Sequence, residues 1–300
     1  MTHIRATAAP GAGTETRPMT PSDVASAEAV WSDAFGTMRA AYNLPGGGPT
    51  TPEDTARQWR QMTHKLTADP GGSWVALDGT RVIGLAQAVV RGDVWVLSLL
   101  GVDPGYQDRG VGRQLLERAL DYGERDSPGL ILSSRDTRAM RRYVRAGFDL
   151  HPSLAAWGTV RPGAVTRPAG IEEAGADALG VVDTVDEAVR GASRAPDVAL
   201  MIREGARLMI DGDKAYAVVD GPRIRTLAAV DEPSATRVLT AALARNAPDE
   251  QVEAGWITGS QQWAIRTLVQ AGIEVHPIGA VMIRGWPGPP LHYLPNGAFG

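Results

Sequence analysis

The chain has 300 residues, no cysteine, a formal net charge of −4 and an ordinary apolar share of 43%. That length suits two compact domains better than one. The composition excludes disulfides, thiol nucleophiles and cysteine-ligated metals, and the mildly acidic balance gives no general pull toward nucleic acid or an anionic membrane.

The opening MTHIRATAAPGAGTET lacks the apolar core of a signal peptide, so residues 1–15 read as a disordered leader. From residue 16 a short extended run leads into a helix, with Thr20 as N-cap, Pro21 in the first turn and Asp23 at N3. A long amphipathic stretch follows, broken by NLPGGGP (43–49). SWVAL (73–77) and RVIGLAQAVV (81–90) flank an Asp-Gly turn and predict a hairpin. VWVLSLLGV (94–102) is a third strand, and this longest apolar run is far too short to cross a bilayer. A cytoplasmic protein is the expectation.

Next come a helix in GVGRQLLERALDYG (110–123), a strand in GLILSS (129–134) and a second helix and strand up to residue 160. The order predicts a mixed α/β fold, a mostly antiparallel sheet flanked by helices. RPGAVTRPAGIEEAG (161–175) is rich in Pro and Gly and reads as a linker. Residues 176–285 repeat the order more loosely, with strands expected at 206–210, 215–219 and 223–230. The Pro/Gly-rich tail, 286–300, has no period. Its Trp286, Tyr293 and Phe299 are expected to lie across a neighbouring domain.

The second half repeats the first. AGFDLHP (146–152) returns as AGIEVHP (271–277) at an offset of 125, and Ala139, Met140, Arg141 and Val144 fall on Ala264, Ile265, Arg266 and Val269. LILSS (130–134) falls on GWITG (255–259) at the same offset. An aligned strand, helix and strand point to an internal duplication, with one copy over 16–160 and another over 176–285.

VDPGYQDRGVGRQLL (102–116) carries the chemistry. A strand ends, a loop with three glycines follows, and a helix begins at once, so its first unpaired N–H groups form a ready anion site. No Gly-Lys-Ser/Thr follows, and Gly112 is followed by Arg113, Gln114 and Leu115, so the P-loop and dinucleotide patterns both fail. What remains is V-x-P, at Val102 and Pro104, followed by Q-x-x-G-x-G at Gln107, Gly110 and Gly112. A second signature comes downstream in DTRAMRRYVRAGF (136–148), with Asp136, Ala139, Tyr143, Gly147 and Phe148 in register.

On these two motifs the chain resembles the GCN5-related N-acetyltransferases, as a tandem type with a degenerate second copy. The resemblance is specific over 95–148 and architectural over 161–285. It implies two tandem acyltransferase-like domains and acetyl-CoA as cosubstrate, with no metal. The loop would hold the pyrophosphate and the preceding strand would pair with the pantetheine arm, which assigns Leu100, Gly101, Val102, Gln107, Asp108, Arg109, Gly110, Val111, Gly112 and Arg113 to cofactor binding. It also implies that Tyr143 is the general acid that protonates the departing thiolate, a role suited to a group with a pKa near 10. Asp136 replaces the usual Asn and still suits an N-cap, and Arg142 replaces an aliphatic residue. The arginines at 135, 138, 141, 142 and 145 are expected to form a solvated face.

The family often places a general base on the strand before the loop, and the matching position is Val96. Asp93 opens that strand and Ser98 lies two residues past Val96 on its face; Asp33, Tyr42 and His64 lie in the helical region expected to line the acceptor side, and the base stays open. In the second copy Val230 and Asp231 match Val102 and Asp103 at an offset of 128, so about three residues of the loop are lost. No Gly-x-Gly remains, and Leu268 stands where Tyr143 would. The expectation is one working site per chain, acetylating a small-molecule amine without nucleic-acid or membrane partners and compatible with a homodimer. The alternative is a CoA-binding sensor or interaction module without catalysis.

Overall fold

The computed structural model describes residues 13–41 and 51–300. Residues 1–12 of the expected leader, the NLPGGGP segment and Tyr42 lie outside the described residues. Glu15, assigned to the leader, is already the first residue of β1 (Glu15–Pro18).

The elements follow the predicted order. α1 (Val24–Ala41) and α2 (Pro52–Ala68) precede the hairpin of β2 (Ser73–Asp78) and β3 (Arg81–Arg91). Then come β4 (Val94–Val102), α3 (Val111–Leu120), β5 (Gly129–Ser133), α4 (Thr137–Arg145) and β6 (Asp149–Thr159). The second copy supplies β7 (Glu172–Ala174), α5 (Leu179–Arg190), α6 (Ala195–Arg203), β8 (Arg207–Asp211), β9 (Ala215–Asp220) and β10 (Arg223–Ala229). It ends with α7 (Glu232–Leu243), β11 (Gln251–Thr258), α8 (Gln262–Gln270), β12 (Glu274–Arg284) and β13 (Tyr293–Leu294).

Packing divides the chain into two compact units: Met1–Ala88 with Leu99–Tyr122, and Val89–Ser98 with Gly123–Gly300. The 161–175 segment is not the boundary between them. In the first unit β1, β2 and β3 are neighbouring antiparallel strands. Val75, Leu77, Val82, Leu85 and Leu99 pack there against Ala27 and Val30 of α1 and Met62 and Leu66 of α2. Gly84 lets α3 approach the strands, since a Cβ there would meet Leu115 at 2.9 Å and Val111 at 3.3 Å.

In the second unit the strands run β4-β5-β12-β6-β11-β10-β9-β8-β7, with β13 paired to β10. Pairing is mostly antiparallel; β4 with β5 and β10 with β11 are parallel. The two copies exchange their last strands. β12 pairs with β5 and with β6, and β6 pairs in turn with β11. AYAVV in β9 is apolar throughout because both faces are covered. Ala215, Ala217 and Val219 join the core with α7 and α8, whereas Tyr216 and Val218 join the core with α5 and α6. Of the tail, Tyr293 and Phe299 are buried in the second copy's own core beside Tyr216 and Val198, whereas Trp286 packs, as expected, against the first copy, in the cluster of Val94, Val96 and Leu130.

Candidate active site

The glycine loop is built within the first unit. The N–H of Asp103 bonds to the carbonyl of Ile83 at 2.9 Å, which fixes the exit from β4. The Asp103 carboxylate accepts from the Gly105 N–H at 2.8 Å and from Arg81 Nη2 at 2.5 Å. The Tyr106 hydroxyl donates to Asp78 at 2.7 Å, and that bond pushes its pKa up. Gln107 turns inward, its amide donating to the carbonyl of Val102 at 3.3 Å. Its role in the geometry is to brace the loop.

Two left-handed residues then turn the chain into α3. Asp108 has φ 63° and Gly110 has φ 85°. Asp is among the side chains that tolerate this region, and glycine enters it without cost. The N–H groups of Arg113 and Gln114 both bond to the carbonyl of Gly110, at 3.0 and 3.1 Å. The N–H groups of Val111 and Gly112, at the first positions of the helix, have no carbonyl within it to meet. A Cβ at Gly110 would point into open space with no atom within 4 Å. The turn ahead of the helix is therefore open at Gly110, while Val111 and Gly112 themselves are buried. Arg109 and Arg113 are exposed on either side. The first lies 5.1 Å over the Tyr106 ring, and the second has only a 3.4 Å pairing with Glu117. Leu100 and Val102 are half-buried and Gly101 is buried in the strand ahead of the loop.

The second motif lies in the second unit. Asp136 caps α4, accepting from the Arg138 N–H at 2.8 Å and from its guanidinium at 3.0 and 3.1 Å. The Asn-to-Asp departure therefore keeps the cap. Gly147, φ 88°, ends the helix, and the Phe148 N–H returns to the Tyr143 carbonyl at 3.1 Å. Phe148 packs against Trp95 with ring centres 5.7 Å apart. Tyr143 is buried, and desolvation pushes its hydroxyl well above the usual phenol range. Arg135, Arg141 and Arg145 are exposed, whereas Arg138 and Arg142 are half-buried.

Val96, where the resemblance implied a base, is buried among Val94, Leu130 and Ile283. Asp93 and Asp33 are exposed, His64 is half-buried and Ser98 is buried. None of them is brought to Val96 by a contact within its own unit that identifies a base.

The second copy is built differently at the matching places. Asp231 follows β10 directly and caps α7, accepting from the Ser234 N–H at 2.7 Å, a bond that holds its carboxyl below the usual range. A fixed negative charge thus stands where the first copy presents bare N–H groups. β13 pairs with β10 at Leu227 and Ala228, and Ala229 bonds to the His292 carbonyl at 2.9 Å. At the offset of 128, Leu227 and Ala228 match Leu99 and Leu100. The tail therefore occupies the strand edge that corresponds to the expected pantetheine edge. Nothing in the sequence signalled this, because Tyr293 and Leu294 are too short a run to read as a strand.

Among the described residues no helix is long and apolar enough to cross a membrane. No group of three or more His, Cys, Asp or Glu among them could hold a metal ion.

Comparison with known proteins supports the two motifs. Residues 37–148 match the Acetyltransferase (GNAT) family. A mycothiol acetyltransferase of Propionibacterium freudenreichii subsp. shermanii is 29% identical over 131 residues, 41% of this chain and 41% of the relative. The chain thus spans about two fifths of the length of that curated relative. A candidate acetyltransferase from Pyrococcus horikoshii superposes with a TM-score of 0.74 at 18% identity, covering 100% of both chains. A tandem GNAT protein from the clavulanic acid biosynthesis pathway gives a TM-score of 0.55 at 15% identity, over 92% of this chain and 100% of the other. At such identities the two structures speak to the fold, which is the mixed α/β tandem arrangement. Residues 37–148 are thus similar to the GNAT acetyltransferases, and the chain as a whole shares the fold of a tandem GNAT protein.

Proposed function

We propose that this chain transfers an acetyl group from acetyl-CoA to the amine of a small molecule, at one site per chain, in the first copy. The observation that carries the reading is the glycine turn into α3, where Gly110 has open space at its Cβ position and the N–H groups of Val111 and Gly112 meet no carbonyl within the helix. An N-terminus of this kind favours a diphosphate. The residues fit the cosubstrate in charge as well, since Arg109 and Arg113 add two exposed cations.

Bound there, acetyl-CoA would supply the acetyl group as an activated thioester. The N–H groups from Gly110 to Gly112, with Arg109 and Arg113, would hold the pyrophosphate. Gln107 and Asp108 would keep the loop in shape, and the backbone of Leu100, Gly101 and Val102 would align the pantetheine arm. Tyr143 would hold a proton for the leaving sulfur, a role that rests on its place in the second motif; desolvation keeps its hydroxyl protonated and also makes it a weaker acid. Orientation of two bound substrates supplies much of the rate in a direct transfer. The relative named for mycothiol supports a small-molecule acceptor.

Calorimetric titration with acetyl-CoA tests the site. One site per chain is expected, with affinity lowered about 100-fold or more in Gly110→Asp. That substitution puts a carboxylate at the helix N-terminus, as Asp231 does in the second copy. Two sites per chain, or no binding at millimolar ligand, would overturn the reading.

Val96 favours a second reading, a CoA-binding module without turnover, since an apolar side chain stands where a base is usual. Tyr143→Phe separates the two. An enzyme loses roughly 10²-fold in kcat while acetyl-CoA affinity stays within about threefold. A sensor shows no turnover with the unaltered protein over a broad amine panel.

A further inference from the structure

α1 turns one stripe of side chains inward: Val24, Ala27, Glu28, Trp31 and Phe35, spaced three and four residues apart. Glu28 is the odd member. It is 6% exposed, at a position where the stripe calls for an apolar side chain. Three other buried carboxylates of this chain are each matched by a guanidinium: Asp23 by Arg17 at 2.7 Å, Asp186 by Arg194 at 2.9 Å and Asp197 by Arg91 at 2.8 Å. Glu28 has no cation among the described residues. Its one hydrogen bond there comes from Ser32 Oγ to Oε1, at 2.5 Å on the same helix, which leaves Oε2 unmatched.

A carboxylate that gives up water for a single neutral hydrogen bond destabilises the fold. The bond with Ser32 spans one helical turn and forms equally well on an exposed face, and an apolar side chain would serve the core better. Folding alone therefore gives no reason for a carboxylate here. Buried, unmatched charge of this kind clusters where ligands bind.

The next turns of the stripe carry an aromatic pair. Trp31 and Phe35 stack with ring centres 4.8 Å apart and planes 11° from parallel, and both are half-buried, so part of each ring meets solvent. The pair stands at the end of β4. A Cβ on Gly101 would lie 3.6 Å from Trp31 Cα and 3.8 Å from Trp31 Cδ1. Gly101 belongs to the backbone assigned above to the pantetheine arm, and it lies with α1 inside the first unit. An unmatched carboxylate followed on one helix face by two rings is complementary to an ammonium on a flat apolar body. We propose that this stripe of α1 receives the acceptor, with Glu28 taking a proton from its ammonium and Trp31 and Phe35 lying along its body. The substrate is then a primary amine that carries an aromatic or similarly flat group. This rests on the acetyltransferase reading above and adds a base and a substrate class. One proton passes from the ammonium to Glu28, and the freed electron pair forms the N–C bond as the C–S bond breaks. The second surplus proton of that nitrogen balances the one gained by the sulfur, and Glu28 returns its proton to solvent.

The test uses the full-length chain with saturating acetyl-CoA and two amines, phenethylamine and propylamine. Phenethylamine should be preferred about 10- to 100-fold in kcat/KM, and Trp31→Leu or Phe35→Leu should reduce that preference about tenfold. Glu28→Gln keeps the size of the side chain and the bond from Ser32. It should lower kcat about 100-fold at neutral pH, with acetyl-CoA affinity within about threefold. Its rate should then climb about tenfold per pH unit toward the amine's own pKa, where the acceptor arrives unprotonated, a rise that lost packing would not give. No preference between the amines, or a Glu28→Gln loss that higher pH does not recover, would overturn the proposal. A second readout needs neither turnover nor a variant: calorimetric titration of the unaltered protein, with coenzyme A present, by phenethylamine and by phenylethanol. Amine binding about tenfold tighter than the alcohol, or more, supports the site, and equal binding or none overturns it. This covers the case in which the variants do not fold. Binding of the amine without any binding of acetyl-CoA would mean that the acetyltransferase reading failed while the site on α1 stood. Turnover of acetyl-CoA with no preference between the amines would mean the reverse.

Discussion

Asp23 shows how one side chain ties the start of the chain together. Its carboxylate accepts from the Thr20 N–H at 2.8 Å, from the Thr20 hydroxyl at 2.7 Å and from the Arg17 guanidinium at 2.7 and 2.8 Å. The hydrogen bonds from Arg17 are the main cause that holds its pKa well below the usual carboxylate range. A group whose folded pKa is depressed stabilises the fold above its unfolded value, near 3.9, and that contribution fades as pH falls toward the folded value. Asp23→Asn should therefore cost about 1–3 kcal/mol at neutral pH, and the difference from the unaltered protein should shrink below about pH 4. Urea denaturation at pH 7 and at pH 3 checks it; an equal difference at both would mean that the charge is not the cause. Thr20, Pro21 and Asp23 were legible in sequence because a cap is a local device. The burial of Glu28 was not, since it depends on residues far along the chain.

At the scale of elements, the β2–β3 hairpin and the start of α3 follow from local rules. Gly79, φ 61°, makes the turn that Asp-Gly announced, and Gly110 caps a helix that the Gly-x-Gly spacing announced. β13 has no such signal. Its place is secured by tertiary bonds: Thr226 Oγ1 donates to the Leu294 carbonyl at 2.8 Å, and Arg194 donates to the Thr226 hydroxyl at 3.0 Å and to the Gly300 carbonyl. Phe299 is fully buried beyond it. Phe299→Ala should cost about 3–5 kcal/mol, read as a lower midpoint in urea. It should open no second acetyl-CoA site, because Asp231 still caps α7.

The exchange of last strands sets the behaviour of the second unit as a whole. β6 has β12 on one side and β11 on the other, both from the second copy. A fragment ending at residue 160 would leave both edges of β6 unpaired, together with the edge of β5 that β12 covers. Such edges seek partners. The fragment 1–160 should therefore be dimeric or aggregated, with β6 pairing to β6 of a second copy, and light scattering that finds a stable monomer would refute this. The duplication itself was readable from the matched lines AGFDLHP and AGIEVHP. The exchange was not, because both strands carry nearly the same pattern and neither pattern names its neighbour.

The sequence by itself determined the element order, the duplicated template, the glycine loop before α3 and the tyrosine on α4. Each rests on interactions between residues close in the chain, where spacing and residue type suffice. Only the tertiary structure decided which strands pair across the copies, where the tail lies and which arginines find carboxylates. Those depend mostly on contacts between residues distant in the chain, such as Arg91 with Asp197 and Leu227 with Leu294, and no local pattern encodes a partner at that distance.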